Sequence, residues 1–519
     1  MSSLFFERFP KYLLQSHEWT VQPAKSIEWP KIDLARIDLL YIFGLGDGSS
    51  YVRFQHWLHE DPKRRLIFFE EDPGVIAALL EEGTKLFDDP QIDFELLESD
   101  TIDRFAEKYP VSKVEVLAPP RFQKQKLKLL RKTALTSALF TDRVQGAKLF
   151  DHFVQNVPRL DGAFYANGLK NIFPGMTAIV CGAGPSLEQA IPILREMEGR
   201  AVIIAGGSAV AALSSNGIDP HFGVAIDPNE EEFHRFRHSA FFEGPLLLST
   251  RVCPKIFGTC NGPFGYLRSG TGGPAELWLD EKLGLTDPLV PAHMPEESMS
   301  VMTLALGFAE HIGCTTIVLC GMDLAYTGAK RYAPGVCSKQ ENSAERTHNA
   351  ADRIVRRKGK KGEFLESAVR WIMEAASLAE FAKKRPHIRW INATEEGLSV
   401  KEFEELNLSS IALPEPCDIR GRLTREIMQN PMPKIPEHLV QELQESLGRV
   451  IQHLEILTGA KPGSKALAEC DLQEELAATV LFYDMPAFLA RAELLGTAAH
   501  GWELYLEMVK LYTDYKKIR

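Results

Sequence analysis

The stretch from Thr177 to Pro228 constrains this chain more than any other. It holds three apolar runs: Ile179-Val180-Cys181 before Gly182, Val202-Ile203-Ile204 shortly before Gly206, and Val224-Ala225-Ile226 before Asp227. The segments between them carry helical spacing. Apolar runs alternating with helices read as β-α-β-α-β, the pattern of a parallel sheet whose strand ends face a ligand. Gly182, Gly184 and Ser186 sit where the first strand hands over to a helix, and Pro185 suits a first helical turn. Backbone N–H groups at such a turn can meet a phosphate, and Ser186 can cap the helix or donate to a phosphate oxygen. The stretch predicts a site for a nucleotide or nucleotide-sugar.

A chain of 519 residues is too long for one ordinary core. The sequence divides into three expected regions. In 1–160, Leu39-Leu40-Tyr41-Ile42-Phe43 reads as a buried strand followed by Gly44, Gly46 and Gly48. Arg65 to Phe69 is a second strand, ending at Glu70. A glycine turn after strand one and an acid after strand two form the Rossmann-type fingerprint, so Gly44, Gly46, Gly48 and Glu70 are a second candidate site. Val114 to Leu117 is a third strand, and Lys124 to Leu139 a basic amphipathic helix. Region 161–412 continues with strands at Leu246 to Leu248, Thr316 to Cys320 and Ile388 to Asn392. It has a glycine-rich loop from Gly258 to Gly273 and helices over Ser298 to Ile312 and Phe364 to Lys383. Ala325 to Arg357 reads as a long mobile loop of the kind that forms lids. Region 413–519 opens with a proline-rich linker or cap, Leu413 to Pro436, and is otherwise helical. The expected fold class is α/β, with Rossmann-like parallel sheets in two successive domains and a C-terminal helical region.

Charge and cysteine usage exclude several classes. Net charge is −11 and the pI is near 5.8, which disfavours a general nucleic-acid binder. The eight cysteines are scattered, with no CxxC pair, which argues against zinc and for buried reduced thiols. No run of about 18 apolar residues is present to span a bilayer. The N-terminus carries acids without a continuous apolar core, so it does not read as a signal peptide. A cytoplasmic protein is expected.

Further candidates lie on the same presumed sheet edge. Gly206-Gly207-Ser208 is a turn after the second strand, and Asp227 ends the third. Gly321-Met322-Asp323, with Tyr326 and Tyr332 following, offers an acid beside two donors for phosphate or carboxylate. His348 is the leading general-base candidate, with His293 its rival. GxSxG, HExxH, the Walker lysine motif and a central D-x-D pair are all missing, so hydrolase, zincin, P-loop and metal glycosyltransferase readings lack support.

Three blocks resemble the Maf (motility-associated factor) family and the wider MptE-like group. They are AIVCGAGPSLEQAIPILRE, ALSSNGIDPHFGVAIDP and SMSVMTLALGFAEHIGCTTIVLCGMDLAYTGAKRYAPG. The N-terminal IFGLGDGSSY with FFEEDP resembles the glycine-rich module that precedes this domain in Maf proteins. Bacterial sialyltransferases share the Gly-Pro-Ser-Leu turn and a Gly-x-Asp after a late strand. The resemblance implies transfer of a nonulosonic, sialic-acid-like sugar from a CMP-activated donor to a protein Ser or Thr, such as flagellin. Gly182, Gly184, Pro185, Ser186 and Asp227 would hold the nucleotide. Ser300, Gly321, Asp323, Tyr326 and Tyr332 would line the donor phosphate and sugar. Tyr326 and Tyr332 would stabilise the leaving phosphate, and His348 would deprotonate the acceptor. The chain departs from the Maf pattern at Met322, commonly Gln, and at Tyr332, often His. No metal site or cofactor beyond the CMP-sugar is expected, and the acceptor protein would meet the helical C-terminal region. Two alternatives accompany this reading. One is an MptE-like diphosphotransferase acting on a hydroxymethylpterin, with ATP in the same glycine turn and Mg²⁺ at Asp227 and Asp323. The other is a catalytically degenerate scaffold binding a partner through its helical tail.

Overall fold

The computed structural model of the chain describes residues 3–23, 25–109, 113–292, 300–328, 330–336, 350–459, 468–469, 471–485 and 498–514. Two compact units form. One comprises Met1–Arg143, Ser343–Arg357 and Glu366–Met373; the other comprises Val144–Asn342, Lys358–Leu365 and Glu374–Arg519.

The first unit is built on a four-stranded sheet of β1 (Leu39–Phe43), β2 (Arg65–Glu70), β3 (Ile92–Leu96) and β4 (Val114–Leu117), in the order β3-β2-β1-β4. The pairings are parallel. All five residues of β1 are buried, as a strand covered on both faces requires. Phe68 and Phe94 face one core with Phe5, Phe9, Tyr12 and Phe87, while Tyr41, Phe43 and Phe69 face another with Phe105 and Phe122. β3 was not foreseen, because Ile92-Asp93-Phe94-Glu95-Leu96 places charged side chains between its apolar ones. Lys108 pairs with Asp93, and Lys11 and Arg104 pair with Glu95.

The larger unit carries a nine-stranded sheet. Its strands are β5 (Phe164–Tyr165), β6 (Thr177–Cys181), β7 (Val202–Gly206), β8 (Phe222–Ala225), β9 (Leu246–Leu248), β10 (Phe264–Tyr266), β11 (Thr316–Cys320), β14 (Arg389–Asn392) and β15 (Glu404–Glu405). The order is β15-β14-β11-β6-β7-β8-β9-β10-β5. The pairings are parallel, so every carboxyl end lies along one edge. Successive strands from β6 to β10 step one way, whereas β11 and β14 lie on the other side of β6. The strand order therefore reverses between β6 and β11, at the position where open α/β sheets take ligands. β12 (Ile354–Lys358) and β13 (Phe364–Ala368) form a separate two-stranded ribbon.

The strands expected at residues 39, 65, 114, 179, 202, 224, 246, 316 and 388 are all present. Four expectations need correction. Phe364 to Ala368 is strand β13, and the helix begins at Val369 and ends at Lys383. The glycine-rich loop from Gly258 holds β10, whose three residues pair with β9 and whose last two pair with β5. The linker Leu413 to Pro436 contains a helix, Ile419–Gln429, capped where the Asp418 carboxylate accepts from Gly421 N at 2.8 Å. The loop from Ala325 to Arg357 holds regular structure where it is described: β12 closes it, and Ala333 N donates to Ala183 O at 2.9 Å. Its residues 329 and 337–349 lie outside the described residues. The C-terminal helices His438–Gly459, Leu476–Val480 and Ala498–Asp514 share one hydrophobic core with the sheet, through Leu443, Val450, Leu454 and Val509. Among the described residues no helix is long and apolar enough to cross a membrane. Cys181, Cys253, Cys260, Cys314 and Cys320 are buried free thiols, and Cys417 is an exposed one.

Candidate functional site at the carboxyl edge of the nine-stranded sheet

The turns after β6 and β11 close on each other at the switch point. Gly182 N donates to Cys320 O and Gly184 N to Gly321 O, both at 2.8 Å. A Cβ on Gly182 would sit 2.6 Å from Met322 Sδ, and one on Gly184 would sit 2.2 Å from Asp323 Oδ1. These glycines are thus required by close approach of the chain to itself. Gly321 takes a positive φ of 66° in the same contact.

Asp323 is the clasp. Its carboxylate accepts from Ser186 N at 3.1 Å, from Ser186 Oγ at 2.5 Å and from Thr327 Oγ1 at 2.6 Å. It is 2% exposed, and burial raises its pKa against the opposing pull of those hydrogen bonds. Ser186 makes no side-chain bond to its own helix, Leu187–Met197, so the capping role expected for it is replaced by the tie to Asp323. Met322 N donates to Thr394 Oγ1 at 3.0 Å and Leu398 N to Asp323 O at 2.9 Å, which pins the loop after β14 onto the same turn. Pro185, Tyr326 and Tyr332 are half-buried around it, with the Arg331 guanidinium 5.0 Å from the Tyr332 ring centre.

Beside this clasp, β7 to β10 end in a row of polar groups. The helix Gly207–Ser215 starts directly after β7, with Ser208 half-buried in its first turn. Asp227, after β8, accepts from Asn229 N at 2.9 Å and Asn229 Nδ2 at 2.7 Å. Its own N–H donates to Glu232 Oε2 at 2.6 Å. Glu232 lies on the helix Glu230–Arg237 and is 2% exposed, and its carboxyl also lies against Gly207. Burial, and then the charge of Asp227, push its pKa from 4.5 up to about 8. After β9, the Glu276 carboxylate gathers Ser249 Oγ, Thr250 N, Thr250 Oγ1 and Gly272 N within 2.8–3.0 Å. The helix Gly146–Asn156 lays one polar stripe along this edge. Lys148 Nζ donates to Asn229 Oδ1 at 3.4 Å, His152 Nδ1 lies 3.0 Å from Arg251 O, and Asn156 Nδ2 donates to Thr250 O and Val252 O at 2.8 Å.

The candidates on this sheet thus fall into neighbouring clusters. Gly182, Gly184, Ser186, Gly321 and Asp323 are in mutual contact. Gly207 and Asp227 meet through Glu232. Ser300 is set apart: it caps the helix Val301–His311, accepting from Thr303 N at 3.3 Å, and donates to Glu374 Oε1 at 2.5 Å. Val301 still reaches the edge, since a Cβ on Gly206 would lie 2.2 Å from its Cγ1. His348 and His293 lie outside the described residues. Gly44, Gly46, Gly48 and Glu70 belong to the four-stranded sheet of the first unit. Glu232, Glu276, His152 and Asn156 were not singled out from sequence. A signal existed: Lys148, His152 and Asn156 recur every four residues on a helix whose other buried members include Phe150 and Phe153.

Residues 151–329 match the family described as 6-hydroxymethylpterin diphosphokinase MptE-like. That span is similar to the MptE-like family. The matched span starts inside the helix Gly146–Asn156 and ends just past Thr327, so it includes Gly182 to Ser186, Asp323 and the polar row apart from Lys148. The solved structure of MAf glycosyltransferase from Magnetospirillum magneticum AMB-1 aligns with 99% of this chain and 84% of its own, at 16% identity and a TM-score of 0.48. No curated protein matches the chain.

Proposed function

We propose that the chain is a cytoplasmic glycosyltransferase that moves a nonulosonic sugar from a CMP-activated donor to a protein hydroxyl. The observation that carries the reading is the reversal of strand order between β6 and β11, where the Gly182–Ser186 turn meets Gly321–Asp323. Open parallel sheets take ligands in the crevice at such a reversal; with the Gly182, Gly184 and Ser186 amides held inside the clasp, the nucleotide would lie along the adjoining edge, at the helix start of Gly207 and Ser208. The resemblance of these two turns to Maf proteins and bacterial sialyltransferases selects the cytidine donor. In this reading Asp323 touches no substrate; it is a positioning residue that holds the Ser186 and Thr327 turns together. Tyr326 and Tyr332, half-buried beside the clasp, stabilise charge on the departing phosphate. Ser208, Asp227 and Asn229 line the continuing edge, and His348 is the proposed base. Flagellin is a fitting acceptor, met by the C-terminal helices.

A second reading follows from the likeness of residues 151–329 to the 6-hydroxymethylpterin diphosphokinase MptE-like family: diphosphate transfer from ATP to a hydroxymethylpterin, with Mg²⁺ at Asp227 and Asp323. Both oxygens of Asp323 already accept from Ser186 and Thr327, which suits a structural acceptor better than a cation ligand. Titration calorimetry with CMP, AMP, GMP, UMP and Mg²⁺-ATP separates the readings. CMP preference without added metal is expected. Mg²⁺-dependent ATP binding with no response to CMP would replace the first reading with the second. Silence toward every nucleotide, with a co-purifying protein, would leave a partner-binding scaffold.

A further inference from the structure

The amino-terminal sheet has every outward sign of a second nucleotide site: Gly44, Gly46 and Gly48 after β1, a helix Ser49–His59 starting there, and Glu70 at the end of β2. Glu70 and the amides of Gly44, Leu45, Gly48 and Ser49 are already engaged by the chain. In such a fingerprint the acid faces a ribose hydroxyl and the loop amides face a pyrophosphate. Here Glu70 is 2% exposed and turns inward. Its carboxylate accepts from Leu45 N at 2.8 Å, Glu71 N at 2.7 Å and Asp72 N at 3.0 Å. At the helix start, Asp47 Oδ1 accepts from Ser49 N at 3.0 Å. A carboxylate thus sits where a phosphate would dock, and hydrogen bonding to Ser49 holds its pKa low.

The space above is filled as well. Residues 20–23 and 25–30 lie along the carboxyl edge of the sheet and are anchored at three places. At the start of the helix Pro73–Glu81, Gln22 N donates to Gly74 O at 3.1 Å, and a Cβ on Gly74 would lie 2.3 Å from Thr20 O. At the glycine loop, a Cβ on Gly46 would lie 2.7 Å from Lys25 O, and Ile27 packs against both Gly44 and Gly46. On the helix after that loop, Trp29 Nε1 donates to Ser50 Oγ at 2.8 Å, and Arg53 donates to Trp29 O and Pro30 O, each at 2.7 Å. The glycines that would admit a pyrophosphate instead admit a peptide backbone.

We infer that residues 20–23 and 25–30 belong to a strap seated in cis in the nucleotide cleft of the first unit, so that this unit is a self-occupied scaffold and takes no nucleotide of its own. This goes beyond the transferase reading, which concerns the larger unit alone.

Hydrogen–deuterium exchange of the full chain, followed by mass spectrometry with and without CMP, AMP, ATP and NAD, tests it. No nucleotide is expected to slow exchange in peptides covering 42–50 or 68–76. Slowing by any one of them overturns the proposal. Ile27→Asp, which charges the side chain lying on the glycine loop, is expected to raise exchange in 20–30 and 42–50 together, by roughly tenfold or more. An unchanged glycine loop would show that the strap does not close it, and would also overturn the proposal. If Ile27→Asp does not fold, Gly46→Ala makes the same test by pressing a methyl group against Lys25 O. The response of peptides around 182–187 to CMP is read in the same experiment. Its failure would count against the transferase reading and leave the strap untouched.

Discussion

The two parallel sheets of this chain carry the same signature and put it to different uses. Each has a glycine turn after an interior strand, β1 or β6, and an acid that closes on that turn. In the first unit the acid is Glu70, on the neighbouring strand, and it takes the N–H of Leu45 from the loop itself. In the larger unit the acid is Asp323, across the strand-order reversal, and it takes the amide and hydroxyl of Ser186. Glu70 closes a loop that residues 20–23 and 25–30 cover. Asp323 closes only the β6/β11 end of its edge, and β7 to β10 beside it keep half-buried polar groups such as Ser208, Asp227 and Arg251. A glycine fingerprint therefore reports that backbones approach closely at a strand end. Which backbone or ligand makes the approach depends on where the nearest acid lies.

The largest effect expected is from Asp323→Ala. It leaves the Ser186 amide, the Ser186 hydroxyl and the Thr327 hydroxyl without their acceptor in a buried site. With about 1–3 kcal/mol for each unmet group, a loss of at least about 3 kcal/mol is expected, together with loss of any nucleotide response. Urea unfolding and calorimetry measure the two. Retained nucleotide affinity in a destabilised protein would show that the clasp and the ligand site are separate.

Glu232 sharpens the comparison through pH. Its carboxyl sits at about 8 in the folded chain against an ordinary 4.5. Between those values the folded protein holds a proton that the unfolded one has released. Its contribution to stability therefore falls as pH rises from about 4.5 to about 8 and is flat above. Glu232→Gln has no such dependence, so the variant should gain on the natural chain across that window, by at most about 1.4 kcal/mol per pH unit. Parallel melting curves at several pH values would refute a buried neutral acid here.

Much of this was legible in the sequence, because strands buried on both faces appear as unbroken apolar runs. Leu39–Phe43, Thr177–Cys181 and Thr316–Cys320 could be found without a structure. β3 and β13 could not, since alternating charges in Ile92–Leu96 and a Glu within Phe364–Ala368 resemble surface or helical patterning. Gly182, Gly184 and Asp323 were read from sequence as strand-end residues of one presumed sheet edge, but the sequence could not tell that their turns bind one another. Glu232 hid among three successive glutamates, of which only one turns inward. Its burial comes from the helix phase relative to Gly207 and Asp227, and so depends on tertiary packing.

A smaller effect, about 2 kcal/mol, is expected from Glu70→Ala, which orphans three amides of which at least Leu45 is wholly buried. Its value lies in what stays the same: nucleotide binding by the larger unit should be unaltered. A loss of nucleotide affinity comparable to that of Asp323→Ala would erase the distinction between the two sheets.

Ser300→Ala is the mildest and most discriminating of the four. The resemblance to Maf proteins assigns Ser300 to the donor phosphate, whereas its hydroxyl caps Val301–His311 and reaches Glu374. Loss of a serine cap costs about 1 kcal/mol. If capping is its whole role, the variant loses that stability and keeps its CMP affinity, because Val301 still holds Gly206 in place. If the hydroxyl turns to the phosphate when donor binds, affinity falls by about tenfold, the equivalent of about 1.4 kcal/mol, beyond the stability loss. The two outcomes differ in calorimetry even where the melting curves agree, so this one hydroxyl reports whether the edge beyond the clasp rearranges around a ligand.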